Sequence, residues 1–180
     1  IRALPSQSAS HTVSIAPFSI DETEVTNQAY LACVLDSKCE APTRCDAGTA
    51  AWKGPVSFAP EVKLHPVTCV SWAMAKDYCE WGGKRLCTEA EWERAARGAT
   101  HRVFPWGDEF PIDPDKYANC DEAYCFDGSE ATAPVGSFPT GKSDVGLLDM
   151  AGNASEWVLD FYEADFYTTG PQVDPKGPCD

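Results

Sequence analysis

The sequence predicts an α+β domain of irregular, turn-rich build, and three observations carry that expectation. Thirteen Gly and fourteen Pro punctuate the chain, and both residues impose special backbone angles that interrupt long regular elements. Helical signatures are confined to three short stretches, while one segment alternates apolar and polar residues as a strand does. Nine cysteines occur without a CxxC pair, which favours disulfides over zinc and hence an extracytoplasmic setting, whether secreted, periplasmic or within the secretory pathway.

With 180 residues, 43% of them apolar, the chain can bury one sizeable core but not two. Residues 1–11 are polar and Ser-rich and read as a linker, leaving 12–180 as a single domain. No apolar run approaches the ~18–20 residues of a bilayer-spanning helix. The chain opens at Ile1 without a methionine or a leader core, as a processed or excised chain would. Its formal charge of −14, from 28 acids against 14 bases, repels phosphate backbones and anionic membrane faces, so nucleic acid is excluded as a partner.

Val13, Ile15 and Phe18 alternate with polar neighbours and suit one or two short strands. Thr26 is placed to cap a helix through Leu35 that turns Ala29, Tyr30, Cys33 and Val34 inward. Residues 36–66 hold Cys39, Cys45 and four prolines with little periodicity and read as a long loop pinned by disulfides. Val67 to Val70 suits a strand. Ser71 then caps a helix carrying Ala75, Tyr78 and Cys79 inward, stopped by Gly82 and Gly83. Thr88, Glu91 and Gly98 frame the clearest helix, with a capping box at its start and a glycine at its end. Beyond it, turns and short strands are expected, with Trp106 and Trp157 as core pieces. Cys33 with Cys39, and Cys120 with Cys125, are close enough in sequence to close small loops, and the odd cysteine count leaves one thiol over.

Several motifs dissolve under scrutiny. GSFPTGKS, Gly136 to Ser143, matches the phosphate-loop pattern, but no helix pattern follows Ser143 and Pro139 removes a needed amide, so a surface turn is expected and a nucleotide enzyme working through Lys142 is excluded. Asn153-Ala-Ser is a glycosylation sequon inside MAGNASEW, where small residues beside a Trp predict a packed, inaccessible turn. His11, His65 and His101 lack zinc-protease spacing, no nucleophile elbow occurs, and Asp108-Glu109 suits a solvated turn.

The acidic turns are more informative. Calcium takes six to eight oxygens at ~2.3–2.6 Å from carboxylates, amides and carbonyls. YANCDEAYCFDGS offers Asn119 and Asp127 with carbonyls between and after them, and LLDMAGNASEW offers Asp149 and Glu156 flanking a glycine turn. Neither has the spacing of an EF-hand.

FSIDETEVTNQAY, HPVTCVSWAMAKDYCEWGGKRLCTEAEWERAARG, FPWGDE, YANC, TAPVGSFP and GLLDMAGNASEWVLDFY, in that order, resemble the formylglycine-generating enzyme (sulfatase-modifying factor) family. Cys87 stands where many members have proline. The resemblance implies a low-secondary-structure variant of the C-type lectin fold with two bound calcium ions. One ion would be held by Asn119, the Cys120 carbonyl, Asp127 and the Ser129 carbonyl. The other would be held by Asp149, the Gly152 and Ala154 carbonyls and Glu156. Ser129 replaces a frequent aromatic but contributes only its backbone.

Catalytic members oxidise a sulfatase cysteine to formylglycine with oxygen and a copper ion on two cysteines, which follow a stretch similar to VDPKGPCD. The chain ends at Asp180, so the resemblance implies that the copper ligands, most of the groove and the closing strands lie outside it; Cys179 is too early to replace them. A second polypeptide is then expected to cover the exposed apolar surface. Two functions follow: part of a formylglycine-generating oxidoreductase, or a non-catalytic, calcium-stabilised module that binds a protein. The sugar triplets EPN, QPD and WND of calcium-dependent lectins are absent.

Overall fold

The computed structural model describes residues 12–42, 58–120, 132–163, 165–170 and 173–177. Four α-helices are present among them: α1 (Asn27–Leu35), α2 (Trp72–Trp81), α3 (Glu89–Arg97) and the single turn α4 (Phe166–Thr169). The linker assigned to 1–11 lies outside the described residues.

The three long helices start where side-chain chemistry dictates. Thr26 Oγ1 accepts the Ala29 N–H and Ser71 Oγ accepts the Met74 N–H, each satisfying one of the amide donors left over at a helix start. In α3 the box is complete. Thr88 Oγ1 accepts the Glu91 N–H while Glu91 accepts the Thr88 N–H at 2.8 Å, and Arg85 grips both Glu91 oxygens at 2.7 Å. That ion pair holds the Glu91 carboxyl below the usual range. Gly98 ends the helix at φ 67°, a left-handed angle that glycine adopts without Cβ strain.

The strands expected at 13–18 and 67–70 do not form. Among the described residues there is no strand, only isolated bridges pairing Ser14 with Val173, Thr26 with Pro66 and Phe104 with Gly107. Single long-range hydrogen bonds take the place of ladders: Val67 N–H to the Val25 carbonyl, Val135 to Leu64, Leu148 to Glu22, Leu159 to Cys87 and Asp174 to Ser14. Apolar alternation therefore sets which side of an extended segment is buried here, without specifying a continuous partner. The β half of the expected α+β class is not seen among the described residues.

The interior divides into two clusters. Ala95, Ala96, Leu147 and Met150 pack with Phe18, Ile20 and Trp92. Tyr30, Cys33 and Cys39 pack with Val25, Val34, Phe58, Val67, Val70 and Tyr78. The Cys33–Cys39 disulfide, with Cα atoms 5.3 Å apart, closes the turn after α1. Cys69 and Cys120 are also disulfide-bonded, whereas Cys125, proposed as the partner of Cys120, lies outside the described residues. Two thiols, Cys79 and Cys87, are free, so the single left-over thiol expected from the odd count is an underestimate.

Two further expectations are corrected. Trp157 is 50% exposed rather than a core piece, although its indole N–H donates to the Val70 carbonyl at 2.9 Å. The Gly136–Ser143 segment is not a plain surface turn, because Gly141 and Ser143 are buried. A Cβ at Gly141 would overlap the Tyr117 carbonyl oxygen, so this glycine serves close backbone packing, and the Pro139–Gly141 turn leads into no helix.

Candidate cation-binding turn

Residues 149–156 connect the first core cluster to the surface by a sharply bent path. Asp149 has φ 57°, Gly152 φ 102° and Asn153 φ 61°. Non-glycine residues seldom adopt such angles, and aspartate and asparagine tolerate them best because their side chains bond the nearby backbone. The bend is held from outside. A Cβ at Gly152 would overlap the Asn119 carbonyl oxygen, and that oxygen accepts the Asn153 N–H at 2.9 Å.

Asn153 is the hub. Its Oδ1 accepts from Asn119 Nδ2 at 3.1 Å and from the Ala133 N–H at 2.8 Å. Its Nδ2 donates to Glu24 Oε2 at 2.6 Å and to the Ala133 carbonyl at 3.3 Å. The amide of the sequon is thus fully engaged, as its packed context predicts, and is not open to a glycan. Glu24 completes the clamp by accepting the Ala154 N–H on Oε1 at 2.8 Å.

The electrostatics are out of balance. Burial pushes the Glu24 carboxyl up to about 8, with Asn153 and the Ala154 amide pulling it down and the charges of Asp149 and Glu156 pushing it further up. Asp149 is 8% exposed. Its Oδ2 accepts the Gly136 N–H at 2.7 Å, its Oδ1 is buried without a partner, and desolvation raises its pKa. Glu156 is exposed as a residue, yet its carboxylate is crowded enough to be raised by desolvation, opposed by the Trp92 indole N–H at 3.0 Å and reinforced by Asp149. Among the described residues no ion pair reaches any of the three. A divalent cation beside Asp149 and Glu156 would supply the missing positive charge, and an orphaned buried carboxylate oxygen is the kind of atom such an ion satisfies.

Asp149, Gly152, Ala154 and Glu156 lie along this one bend. Of the other proposed set, Asn119 is 6% exposed and joined to that turn, and Cys120 follows it; Asp127 and Ser129 lie outside the described residues. No group of three or more His, Cys, Asp and Glu side chains among the described residues could hold a metal unaided, so a cation here would also need carbonyl donors. Sequence reasoning missed Glu24. Its one signal was an acid embedded in the alternating FSIDETEV segment, and nothing local revealed a partner 129 positions away.

Among the described residues copper finds no such fit. Cys79 answers to Asp21, Lys84 and Glu80, and Cys87 to Glu156, Glu91 and Arg85. Burial raises both thiols, Cys87 to about 12. They are two separate, protonated sulfurs rather than a dithiolate pair.

Among the described residues, helices without a sheet, a small disulfide-closed core and a buried polar hub define a domain knit by loops. The chain belongs to the family of the sulfatase-modifying factor enzyme 1-like domain, which matches residues 2–177. A formylglycine-generating enzyme of Streptomyces coelicolor is 36% identical over 210 residues, 93% of this chain and 65% of that protein, so the chain spans about two thirds of that relative. A Bos taurus protein named inactive C-alpha-formylglycine-generating enzyme 2 is 42% identical over 124 residues, 64% of this chain and 40% of its own. Among solved structures, PvdO from Pseudomonas aeruginosa superimposes with a TM-score of 0.58 at 31% identity, over 83% of this chain and 59% of that one.

Proposed function

We propose that this chain is the calcium-stiffened part of a formylglycine-generating-type assembly, in the C-type lectin variant of the fold. One ion is held by Asp149, the Gly152 and Ala154 carbonyls and Glu156. A second is held by Asn119, the Cys120 carbonyl, Asp127 and Ser129. The unpartnered Asp149 Oδ1 in a turn crowded by carboxylates carries this proposal. Elemental analysis of protein purified without chelator tests it: two calcium ions per chain are expected, and none would end it.

The oxidation of a sulfatase cysteine to formylglycine, where it occurs, belongs to copper ligands outside the described residues, and a second polypeptide covers the exposed apolar face of this chain. Trp157, Phe161 and Tyr162 at 50%, 48% and 84% exposure support a covering partner. Converting a sulfatase-motif peptide with the completed assembly, oxygen and copper, read by peptide mass, tests the chemistry. An unchanged target cysteine would favour the second function, a non-catalytic protein-binding module, which the relative named as inactive supports. The Cys33–Cys39 disulfide supports an extracytoplasmic location.

A further inference from the structure

We infer that Glu24 is a positioning residue for the 149–156 turn, holding the Asn153–Ala154 peptide between its two donor carbonyls from a distant segment while Asn153 passes that hold to Asn119. The inference rests on the cation proposal above and adds a residue outside the ligand set. In a trans peptide the N–H and C=O point in opposite directions, so anchoring an amide proton aims the carbonyl of the preceding residue. Asn153 N–H is anchored on the Asn119 carbonyl at 2.9 Å, which turns the Gly152 carbonyl away from Asn119. The next peptide is anchored by Ala154 N–H on Glu24 Oε1 at 2.8 Å. Glu24 therefore fixes the Asn153–Ala154 peptide, the link between the two donor carbonyls, while the Asn119 carbonyl fixes the direction of the Gly152 carbonyl.

Glu24 also fixes the hub itself. Its Oε2 takes one proton of the Asn153 amide at 2.6 Å, which leaves Asn153 Oδ1 facing the Asn119 and Ala133 donors. Replacing the carboxylate by an amide sets an N–H against an N–H at one of these bonds, and the turn must shift to relieve it. Groups that orient ligands in this way tune metal affinity without touching the metal.

The test uses terbium(III) as a calcium surrogate, because Trp92, hydrogen-bonded to Glu156 at 3.0 Å, is placed to sensitise its luminescence at this turn. Glu24→Gln should weaken terbium and calcium binding at the Trp92-sensitised site about tenfold or more. Asp21→Asn is the charge-matched control, since Asp21 pairs only with exposed Lys84 among the described ion pairs; it should change affinity less than about twofold. Unchanged affinity in folded Glu24→Gln, even with lowered apo stability, would overturn the positioning role and leave the cation proposal standing. A wild-type protein with no calcium-displaceable terbium signal would overturn both. Should Glu24→Gln fail to fold, Glu24→Asp, too short to span both donors, decides the matter in the same direction.

Discussion

Helix α3 and the 149–156 turn lie against each other through Trp92 and Glu156, yet they are stabilised in opposite ways. The capping box of α3 is closed by partners near in sequence: Thr88 and Glu91 cap each other, and Arg85 holds Glu91 from six residues away, with Asp160 adding one remote bond to the Glu89 N–H at 2.7 Å. Around the turn nearly every partner is remote, from Glu24 at 129 and 130 positions to Ala133 at 20. Local reciprocity completes its own charge balance. The remote hub does not, and it leaves three carboxylates raised, which gives it reason to respond to a cation.

The turn is most vulnerable at Gly152. Gly152→Ala places a methyl group on the Asn119 carbonyl oxygen at φ 102°, and should cost about 3 kcal/mol or more, as strained and overpacked sites do. The urea midpoint measures it, and a loss below that of a simple cap deletion would mean that the backbone is not held so closely. Asn153→Ala leaves Glu24 and Ala133 without their side-chain partners and should cost about 2–3 kcal/mol. It should also abolish any stabilisation by calcium, seen as identical unfolding curves with and without the ion.

Acidity sharpens the same contrast. A carboxyl whose folded pKa lies at about 8 favours the protonated folded state. Its contribution is fully present below the ordinary value of 4.5 and is lost as pH rises through about 8. In EDTA the protein should therefore unfold more easily at pH 8 than at pH 5.5, while calcium affinity rises over the same interval because binding needs ionised oxygens. A flat stability profile in EDTA would contradict the burial of Glu24. At α3, Thr88→Ala should cost only about 1 kcal/mol, equally with and without calcium. A calcium-dependent loss there would show that the two regions are not independent.

The same difference governs what was legible in the sequence. The bounds of α1, α2 and α3 follow from Thr26, Ser71 and Thr88 at their starts and from glycines closing the latter two, because caps act within one turn of chain. The alternation at Val13, Ile15 and Phe18 was legible as burial but not as pairing, since a single bridge at Ser14 to Val173 depends on chain 159 positions away. Asp149 and Glu156 could be chosen on oxygen chemistry alone. Glu24 could not, because its role is defined by a turn that exists only once the chain has folded back. Trp157 was misjudged for a related reason: its aromatic bulk suggested the core, whereas one hydrogen bond to Val70 holds it at the surface.

Hard oxygens on bent turns are proposed to bind a divalent ion and so to stabilise a domain whose described residues form no sheet. Thermal unfolding of the chelator-stripped protein, repeated with calcium and with matched ionic strength of sodium chloride, tests this most directly. A midpoint that climbs with calcium concentration, as binding to the folded state alone requires, is the predicted result. Superimposable curves across the calcium series would contradict it.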